Sequence, residues 1–274
     1  MNLLIDYHIH TNHSIDGEMT IDEACIKAIS LGIKEIAFTD HIDLDWPESE
    51  FDFAAIDLDK YMLEIEKSKA KYKEHLVIKA GIEIGLQPHV LDETTKIIEG
   101  YPFDFVIGSV HIIQRMDPYC GKYYIGRTKE EFYRLYYEET LRLIKEFSYF
   151  DVLGHIGYIK RYSPLPYEKE DELLHLDLID EIFKVLINKG KGIEVNTSGY
   201  RHVSNCPMPP LELIKRYRKL GGTIITLGSD SHKLDNFGFG LKAGLETIIQ
   251  AGFDQITTYT NRKPYFQCIK KGIG

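Results

Sequence analysis

Long apolar segments are absent from this chain. No run of residues approaches the roughly 20 that a helix needs to span a bilayer. The N-terminus begins directly with a strand pattern and lacks the basic stretch and apolar run of a secretory signal. We therefore expect a cytoplasmic protein without a membrane partner.

Cysteine is scarce, and its spacing excludes two classes of small fold. The 4 cysteines form no C-x-x-C pair and have no neighbouring histidine at zinc-finger spacing: Cys25, Cys120, Cys206 and Cys268. This spacing excludes a disulfide framework and a zinc finger, and it predicts reduced, partly buried thiols. For Cys120, in the loop DPYCGKYY, the alternative is a place in a pocket wall.

Positive charge is also limited. The chain has 33 lysines and arginines against 42 aspartates and glutamates, a formal net charge of -9, and no Lys/Arg-rich run. It therefore lacks the electrostatic footprint of a nucleic-acid-binding protein, although a local basic pocket can still hold a small anion. We expect a small-molecule partner and no nucleic acid.

No linker, repeat or low-complexity segment divides the chain, so we expect one domain over residues 1–274, with 43% hydrophobic residues to fill its core. Apolar strand patterns alternate with helical patterns in seven β/α units, which predicts a barrel-like α/β fold. The strands fall near residues 3–8, 34–39, 77–84, 104–110, 150–154, 192–197 and 223–228, and the helices near 20–31, 58–75, 90–99, 128–147, 171–189, 210–220 and 237–250.

Residues of metal-ligand type lie at or just after the ends of these strands. Because the C-terminal ends of parallel strands converge, we expect an active site there, built around one polynuclear metal site. His8 and His10 are two apart in a strand and point to the same face. The full set is His8, His10, His41, Glu83, His111, His155, Asp230 and His232.

The chemistry of these side chains restricts the metal. Imidazole and carboxylate without thiolate suit zinc, manganese or iron. Glu83 lies within the apolar segment KAGIEIGL, where a lone carboxylate is costly unless it is paired or bound to a metal. It is therefore the natural bridge between two ions, and the alternative is an ion pair with a buried arginine or lysine.

Together these segments resemble the metal-binding motifs of the polymerase and histidinol phosphatase (PHP) superfamily, in the usual order and over essentially the whole chain. The motifs are HIHTNHSIDG, TDH, GIEIG, SVH, GH and GSDSH. Within the superfamily, GHIGYIKRY, EVNTSGYR and LGGTIITLGSDSH are similar to the monofunctional histidinol-phosphate phosphatases of histidine biosynthesis. The resemblance implies a distorted (β/α)7 barrel with three divalent metal ions.

The resemblance also assigns ligands to each ion. One position in the first loop stays open between His13 and Asp16, and Asp16 is favoured because it directly precedes Gly17, as in the ending of the motif. The implied ligands are His8, His10, Glu83 and Asp230 for the first ion, Glu83, His111 and His155 for the second, and Asp16, His41 and His232 for the third.

Such a cluster predicts how a phosphate ester is hydrolysed. Metals about 3.5 to 4 Å apart lower the pKa of a bridging water and bind the phosphoryl oxygens. Hydroxide can then attack phosphorus and expel the alcohol without a protein nucleophile. Asp230 or His232 is the candidate to assist proton transfer to the leaving alkoxide.

Two arginines follow neighbouring strand ends and are candidates to bind the phosphate. Arg161 follows the strand of His155, and Arg201 follows the segment EVNTSGY. Bidentate guanidinium contacts suit a dianionic phosphate, and the resemblance implies this role for both. The alternative is a pair of surface loop arginines. Lys160, beside Arg161, is expected to be solvated.

The signals for the rest of a substrate pocket are weaker. The imidazole and amine of histidinol phosphate favour aromatic and acidic contacts. The candidates are Asp43, Asp45, Trp46, Tyr158 and His202, with residues 116–126 as a covering loop. His89 is a weak candidate to support a metal ligand, whereas His75 and His175 are expected to be surface or packing residues.

The leading hypothesis is a metal-dependent phosphomonoesterase that hydrolyses L-histidinol phosphate to L-histidinol and inorganic phosphate. The alternatives are a PHP phosphoesterase for phosphotyrosine proteins or nucleotides, a metal-dependent amidohydrolase, and a noncatalytic metal-binding module. Glu83 and the two arginines favour the phosphatase. The sequence predicts no oligomeric state.

Overall fold

The computed structural model describes residues 3–47, 53–168 and 170–269. A parallel sheet curls into a barrel. Its strands are β1 (Ile5–Ile9), β2 (Glu35–Phe38), β3 (His41–Ile42), β4 (Val77–Gly85), β5 (Phe105–Ser109), β6 (Val152–Leu153), β7 (Gly192–Asn196) and β8 (Ile225–Gly228). The order of the strands in the sheet is β1-β2-β4-β5-β6-β7-β8, and β3 pairs with β4.

Strands β2 and β3 are two parts of one interrupted strand. Both pair in parallel with β4 in a single register, in which Phe38 lies opposite Ala80 and His41 opposite Glu83. The barrel closes between β8 and β1, where Asp230 N donates to His8 O at 2.8 Å. The (β/α)7 barrel predicted from the sequence is therefore confirmed.

Helices connect the strands and cover the outside of the barrel. Threonine begins two of them with a capping box, in which Thr20 pairs with Glu23 and Thr128 with Glu131. The predicted helix over 171–189 is divided before His175. The helices are α1 (Ile21–Ser30), α2 (Leu58–Tyr72), α3 (Leu91–Gly100), α4 (Lys129–Glu146), α5 (Glu170–Leu173), α6 (Leu176–Asn188), α7 (Leu211–Lys219) and α8 (Leu241–Gln250).

The core lies inside the barrel and between the barrel and its helices. Central strands such as β5 are buried along their whole length, because one face meets the barrel interior and the other meets the helices. This explains the continuous apolar runs in the sequence. Within the described part of the chain, no helix is long and apolar enough to cross a membrane.

A C-terminal hairpin was not predicted from the sequence. Its antiparallel strands are β9 (Gln255–Thr260) and β10 (Lys263–Cys268). The turn residues Asn261 and Arg262 have φ angles of 49° and 64°, a conformation that the sequence pair Asn-Gly normally signals. Arg262 Nε donates to Asp151 Oδ2 at 2.5 Å, which fixes the hairpin at the start of β6.

Candidate metal centre and active site

The C-terminal ends of the barrel strands carry the predicted metal ligands into one place. They border a pocket of about 710 Å³, and Arg161 and Arg201 line the same pocket. His8 and His10 lie beneath it and are fully buried. The pocket is therefore a single site at the strand ends, as the strand-end pattern predicted.

Within this cluster, three groups of side chains have the geometry to hold a metal ion. In each group the potential ligand atoms lie within 4.8 Å of one another, and the groups are His8, His10 and Asp230; Glu83, His111 and His155; and His10, His41 and His232. Asp16 adjoins the last group, with Oδ1 3.0 Å from His41 Nε2 and Oδ2 3.3 Å from His232 Nε2.

Glu83 lies between two of the groups. Its Oε2 is 3.1 Å from His8 Nε2 and 3.4 Å from His10 Nε2. Its Oε1 is 2.8 Å from His155 Nε2 and 3.4 Å from His111 Nε2. This is the geometry expected of a carboxylate that bridges two ions. The alternative, an ion pair between Glu83 and a buried arginine or lysine, does not occur among the described residues.

The bonding state of the buried nitrogens tests whether a metal fits. Among the described residues, His8 Nε2 and His10 Nε2 form no hydrogen bond although both are buried. Buried polar atoms are nearly always satisfied, so two buried imidazole nitrogens that face carboxylates without a hydrogen bond fit a bound cation. The donor set of nitrogen and oxygen suits zinc, manganese or iron. The residues therefore fit divalent metal ions.

The electrostatics of the cluster agree with a cation site. Burial alone would raise the pKa of Glu83, but the charges of His8 and His111 hold that pKa well below its usual value. Burial would lower the pKa of His8, but the carboxylates of Glu194 and Glu83 raise it well above normal. Burial and the charge of His232 lower the pKa of His10 to about 3. Buried carboxylate charge is concentrated here.

Two carboxylates that orient the ligands were missed from the sequence. Glu194 Oε1 is 2.6 Å from His8 Nδ1, which keeps the opposite nitrogen of that imidazole turned into the cluster. Asp43 was a candidate contact for the substrate, but it does not line the pocket. It is buried and contacts the Nδ1 atoms of His41 and His111. Glu194 carries a detectable signal, an acidic residue in a buried strand.

The structure distinguishes between His13 and Asp16, the two candidate ligands in the first loop. Asp16 faces His41 and His232, as described above. His13 instead turns toward α2, where its Nε2 is 2.9 Å from Glu64 Oε2. Of the two, Asp16 is the one that the fold brings to the cluster.

Arg161 and Arg201 lie side by side next to Asp230. Arg161 Nη2 donates to Ser198 Oγ at 2.5 Å and to Asp230 Oδ2 at 2.6 Å. Arg201 donates to the backbone carbonyls of Ser229 and Asp230, both at 2.8 Å. Both guanidinium groups are therefore oriented by the protein at the pocket wall, beside the cluster of predicted metal ligands.

The expectation that the Lys160 side chain is solvated is wrong. Its side chain is 1% exposed, and Nζ lies 2.8 Å from Glu172 Oε1. Nζ also donates to Pro207 O at 3.3 Å. Glu172 lies on α5, and Lys160 lies in the short helical turn that also carries Arg161. Nothing in the sequence indicated this ion pair.

The walls of the pocket are aromatic. The candidates Trp46, Tyr158 and His202 line it, and so does Cys120, for which a place in the pocket wall was the alternative. Asp45 does not line it and contacts His89 and Arg115 instead. His75 is exposed and His175 is packed beside tyrosines, as expected. Asp117 and Tyr119 of the predicted covering loop 116–126 also line the pocket, and the structure adds Phe53 and Tyr162.

Comparison with known proteins places the chain in a family. A PHP domain model matches residues 6–198. A histidinol-phosphatase of Lactococcus lactis subsp. lactis is 32% identical over 260 residues, which cover 94% of this chain and 95% of the relative. The chain belongs to the PHP-domain histidinol-phosphatase family. A Clostridium acetobutylicum protein described as a "Probable histidinol-phosphatase" is 35% identical over 89% of this chain and 92% of its own.

A solved structure extends the likeness of this PHP protein to three dimensions. It is the histidinol phosphate phosphatase from Lactococcus lactis, in complex with zinc, L-histidinol and phosphate. The two folds agree with a TM-score of 0.88 at 32% identity, over 96% of this chain and 98% of the other. The barrel of this chain is therefore that of the family.

Proposed function

We propose that this PHP protein is a metal-dependent phosphomonoesterase that hydrolyses L-histidinol phosphate to L-histidinol and inorganic phosphate. The observation that carries the proposal is one pocket in which three potential metal-binding groups adjoin two oriented arginines. The similarity to histidinol-phosphatases over almost the whole chain supports the same substrate. The reaction belongs to histidine biosynthesis, which we assign to the cytoplasm.

For the metals, we propose three divalent ions. When bound, they supply hydroxide at neutral pH and stabilise charge on the phosphoryl oxygens. Zinc accompanies the Lactococcus relative, and the same donors suit manganese and iron. The proposed ligands are His8, His10, Glu83 and Asp230 for the first ion, Glu83, His111 and His155 for the second, and Asp16, His41 and His232 for the third.

The protein residues then have separate tasks. Arg161 and Arg201 bind the phosphoryl oxygens, since each retains N–H donors at the pocket wall and cannot be deprotonated. Asp230 and His232 border the same side of the pocket and are the candidates to transfer a proton to the leaving alkoxide. The phosphate is thereby held between the arginines and the metal cluster.

The organic part of the substrate needs a different environment. Trp46 and Phe53 stack at 4.3 Å between ring centroids, and Tyr158 and Tyr162 form the facing aromatic wall. Asp117 also lines the pocket, and its Oδ2 accepts a hydrogen bond from Trp46 Nε1 at 3.3 Å. Flat aromatic faces beside a carboxylate suit an imidazole and an ammonium group. We assign recognition of the histidinol part to this wall.

A substrate panel tests the proposal. Purified protein supplemented with zinc or manganese is assayed with L-histidinol phosphate, phosphotyrosine, a nucleoside monophosphate and a cyclic amide. The kcat/KM should be highest for L-histidinol phosphate. Equal turnover of all the esters, or turnover of the amide, would contradict the assignment.

An Asp117→Asn variant refines this test. The variant loses the charge-assisted hydrogen bond between Asp117 and the ammonium group of the substrate, which is worth roughly 1.5 to 3 kcal/mol. The kcat/KM for L-histidinol phosphate should therefore fall about ten- to a hundredfold. A phosphate ester without a cationic group should be hydrolysed as before. Equal losses for both esters would mean that Asp117 serves the site only structurally.

A further inference from the structure

Asp43 lies directly behind two of the proposed metal ligands. It follows β3 and is 2% exposed. Its Oδ2 is 2.9 Å from His41 Nδ1, and its Oδ1 is 2.8 Å from His111 Nδ1. An ionised carboxylate only accepts hydrogen bonds, so both imidazoles must carry hydrogen on Nδ1. In their neutral form each then presents Nε2 as a lone pair.

The two Nε2 atoms face different metal-binding groups. His41 Nε2 is 3.0 Å from Asp16 Oδ1, in the group proposed for the third ion. His111 Nε2 is 3.4 Å from Glu83 Oε1, in the group proposed for the second ion. One carboxylate therefore orients a ligand of each group. Glu194, by contrast, contacts the imidazole of His8 and only the backbone N–H of His155.

The fold reserves space for this carboxylate. Gly85 ends β4, and a Cβ atom there would lie 1.7 Å from Asp43 Oδ1. No side chain is therefore compatible with the observed position of Asp43. On the other side, Asp43 N donates to Phe53 O at 3.1 Å, and the Phe53 ring stacks on His41. Asp43 is fixed from both directions.

We propose that Asp43 is a shared positioning residue that couples two metal subsites, so that the second and third ions bind interdependently. The inference rests on the metal assignment proposed above. A carboxylate that orients one histidine affects one ion. A carboxylate that orients histidines of two groups makes the geometry of each group depend on the other.

Replacement of Asp43 by asparagine gives the direct test. Asparagine has a single acceptor oxygen, so Asp43→Asn can orient only one imidazole at a time. Loss of an orienting partner lowers metal affinity about 10- to 100-fold. In a zinc-buffered titration followed by mass-spectrometric metal analysis, we expect the affinities for two ions per chain to fall together. Asp45→Asn is the matched control, because Asp45 pairs with His89 outside the cluster.

A second variant avoids changing any polar group. Gly85→Ala keeps every ligand but forces the Asp43 carboxylate to move, so it should reproduce the paired loss in protein shown by circular dichroism to be folded. Loss of a single ion in both variants, or wild-type zinc affinity in Asp43→Asn, would overturn the coupling and leave the phosphatase assignment standing. A wild-type protein that binds no zinc would overturn that assignment and the coupling with it.

Discussion

Arg161 and Asp230 form an ion pair at the wall of the pocket, with Nη2 2.6 Å from Oδ2. Asp230 Oδ1 faces the metal cluster instead, 3.5 Å from His10 Nε2. The carboxylate thus separates a proposed metal position from a proposed phosphate-binding cation. In the proposed arrangement, a phosphoryl group would therefore lie between the Arg161 guanidinium and the metal ions.

Removal of either arginine should weaken phosphate binding. Each lost charge-assisted hydrogen bond is worth roughly 1.5 to 3 kcal/mol, so Arg161→Ala and Arg201→Ala should lower kcat/KM about ten- to a hundredfold. Steady-state kinetics should show this mainly as a higher KM if the contact already exists in the ground state. Lysine at either position should rescue partly, because it keeps the charge and loses the planar fork.

Arg134→Ala is the control for these variants, since the half-buried Arg134 lies on α4 and does not line the pocket. It should behave as wild type. Wild-type kinetics in both Arg161→Ala and Arg201→Ala, with unchanged metal content, would place the phosphate on another side of the cluster.

Glu194→Gln should weaken binding of one metal ion. Glutamine can accept a hydrogen bond through only one atom, whereas Glu194 serves His8 Nδ1 with one oxygen and the His155 backbone N–H with the other. Zinc affinity at the first subsite should fall about 10- to 100-fold. A chelator competition titration measures this, with the exposed Glu181→Gln as control. Unchanged zinc affinity would show that His8 is oriented without Glu194.

Breaking the buried Lys160–Glu172 pair should destabilise the fold. Lys160→Met leaves an uncompensated buried carboxylate, which costs about 3 to 5 kcal/mol of the free energy of unfolding. Urea denaturation measures the loss. Lys184→Met removes an exposed pair with Glu181 and should change stability by less than about 1 kcal/mol. Equal effects of the two variants would refute the structural role of Lys160.

The loss in Lys160→Met should also depend on pH. Burial already raises the pKa of Glu172, while the charge of Lys160 opposes that rise, so removing Lys160 raises the pKa further. A raised folded-state pKa destabilises the protein as pH increases above the unfolded value. The deficit should therefore be smaller near the unfolded pKa of glutamate, about 4.3, than at neutral pH. A deficit independent of pH would mean that Glu172 is not its source.

The sequence was sufficient to predict the barrel and the convergence of its strand ends on one site. Buried parallel strands appear as continuous apolar runs, and the polar residue that ends each run marks the active face. Glu83 and His155 illustrate this, because 72 residues separate them and yet their side chains lie 2.8 Å apart. Fold topology alone predicts that meeting.

The contacts of side chains that support the site residues from behind could not be predicted from the strand pattern. Asp43, Glu194 and Lys160 all lie close in sequence to predicted site residues, but their partners are set by how separate elements pack. The C-terminal hairpin was missed for a local reason, since Arg262 holds the position where glycine usually signals the turn.

The most direct test of the account is phosphate release from L-histidinol phosphate by chelator-treated protein, before and after divalent metal is restored. Activity should vanish without metal and return with zinc or manganese in the wild type and in His13→Ala, whose imidazole pairs with Glu64 outside the cluster. Glu83→Gln should remain inactive with metal present, because the bridging ligand is lost. Full activity of protein shown by mass spectrometry to contain no metal would contradict the account.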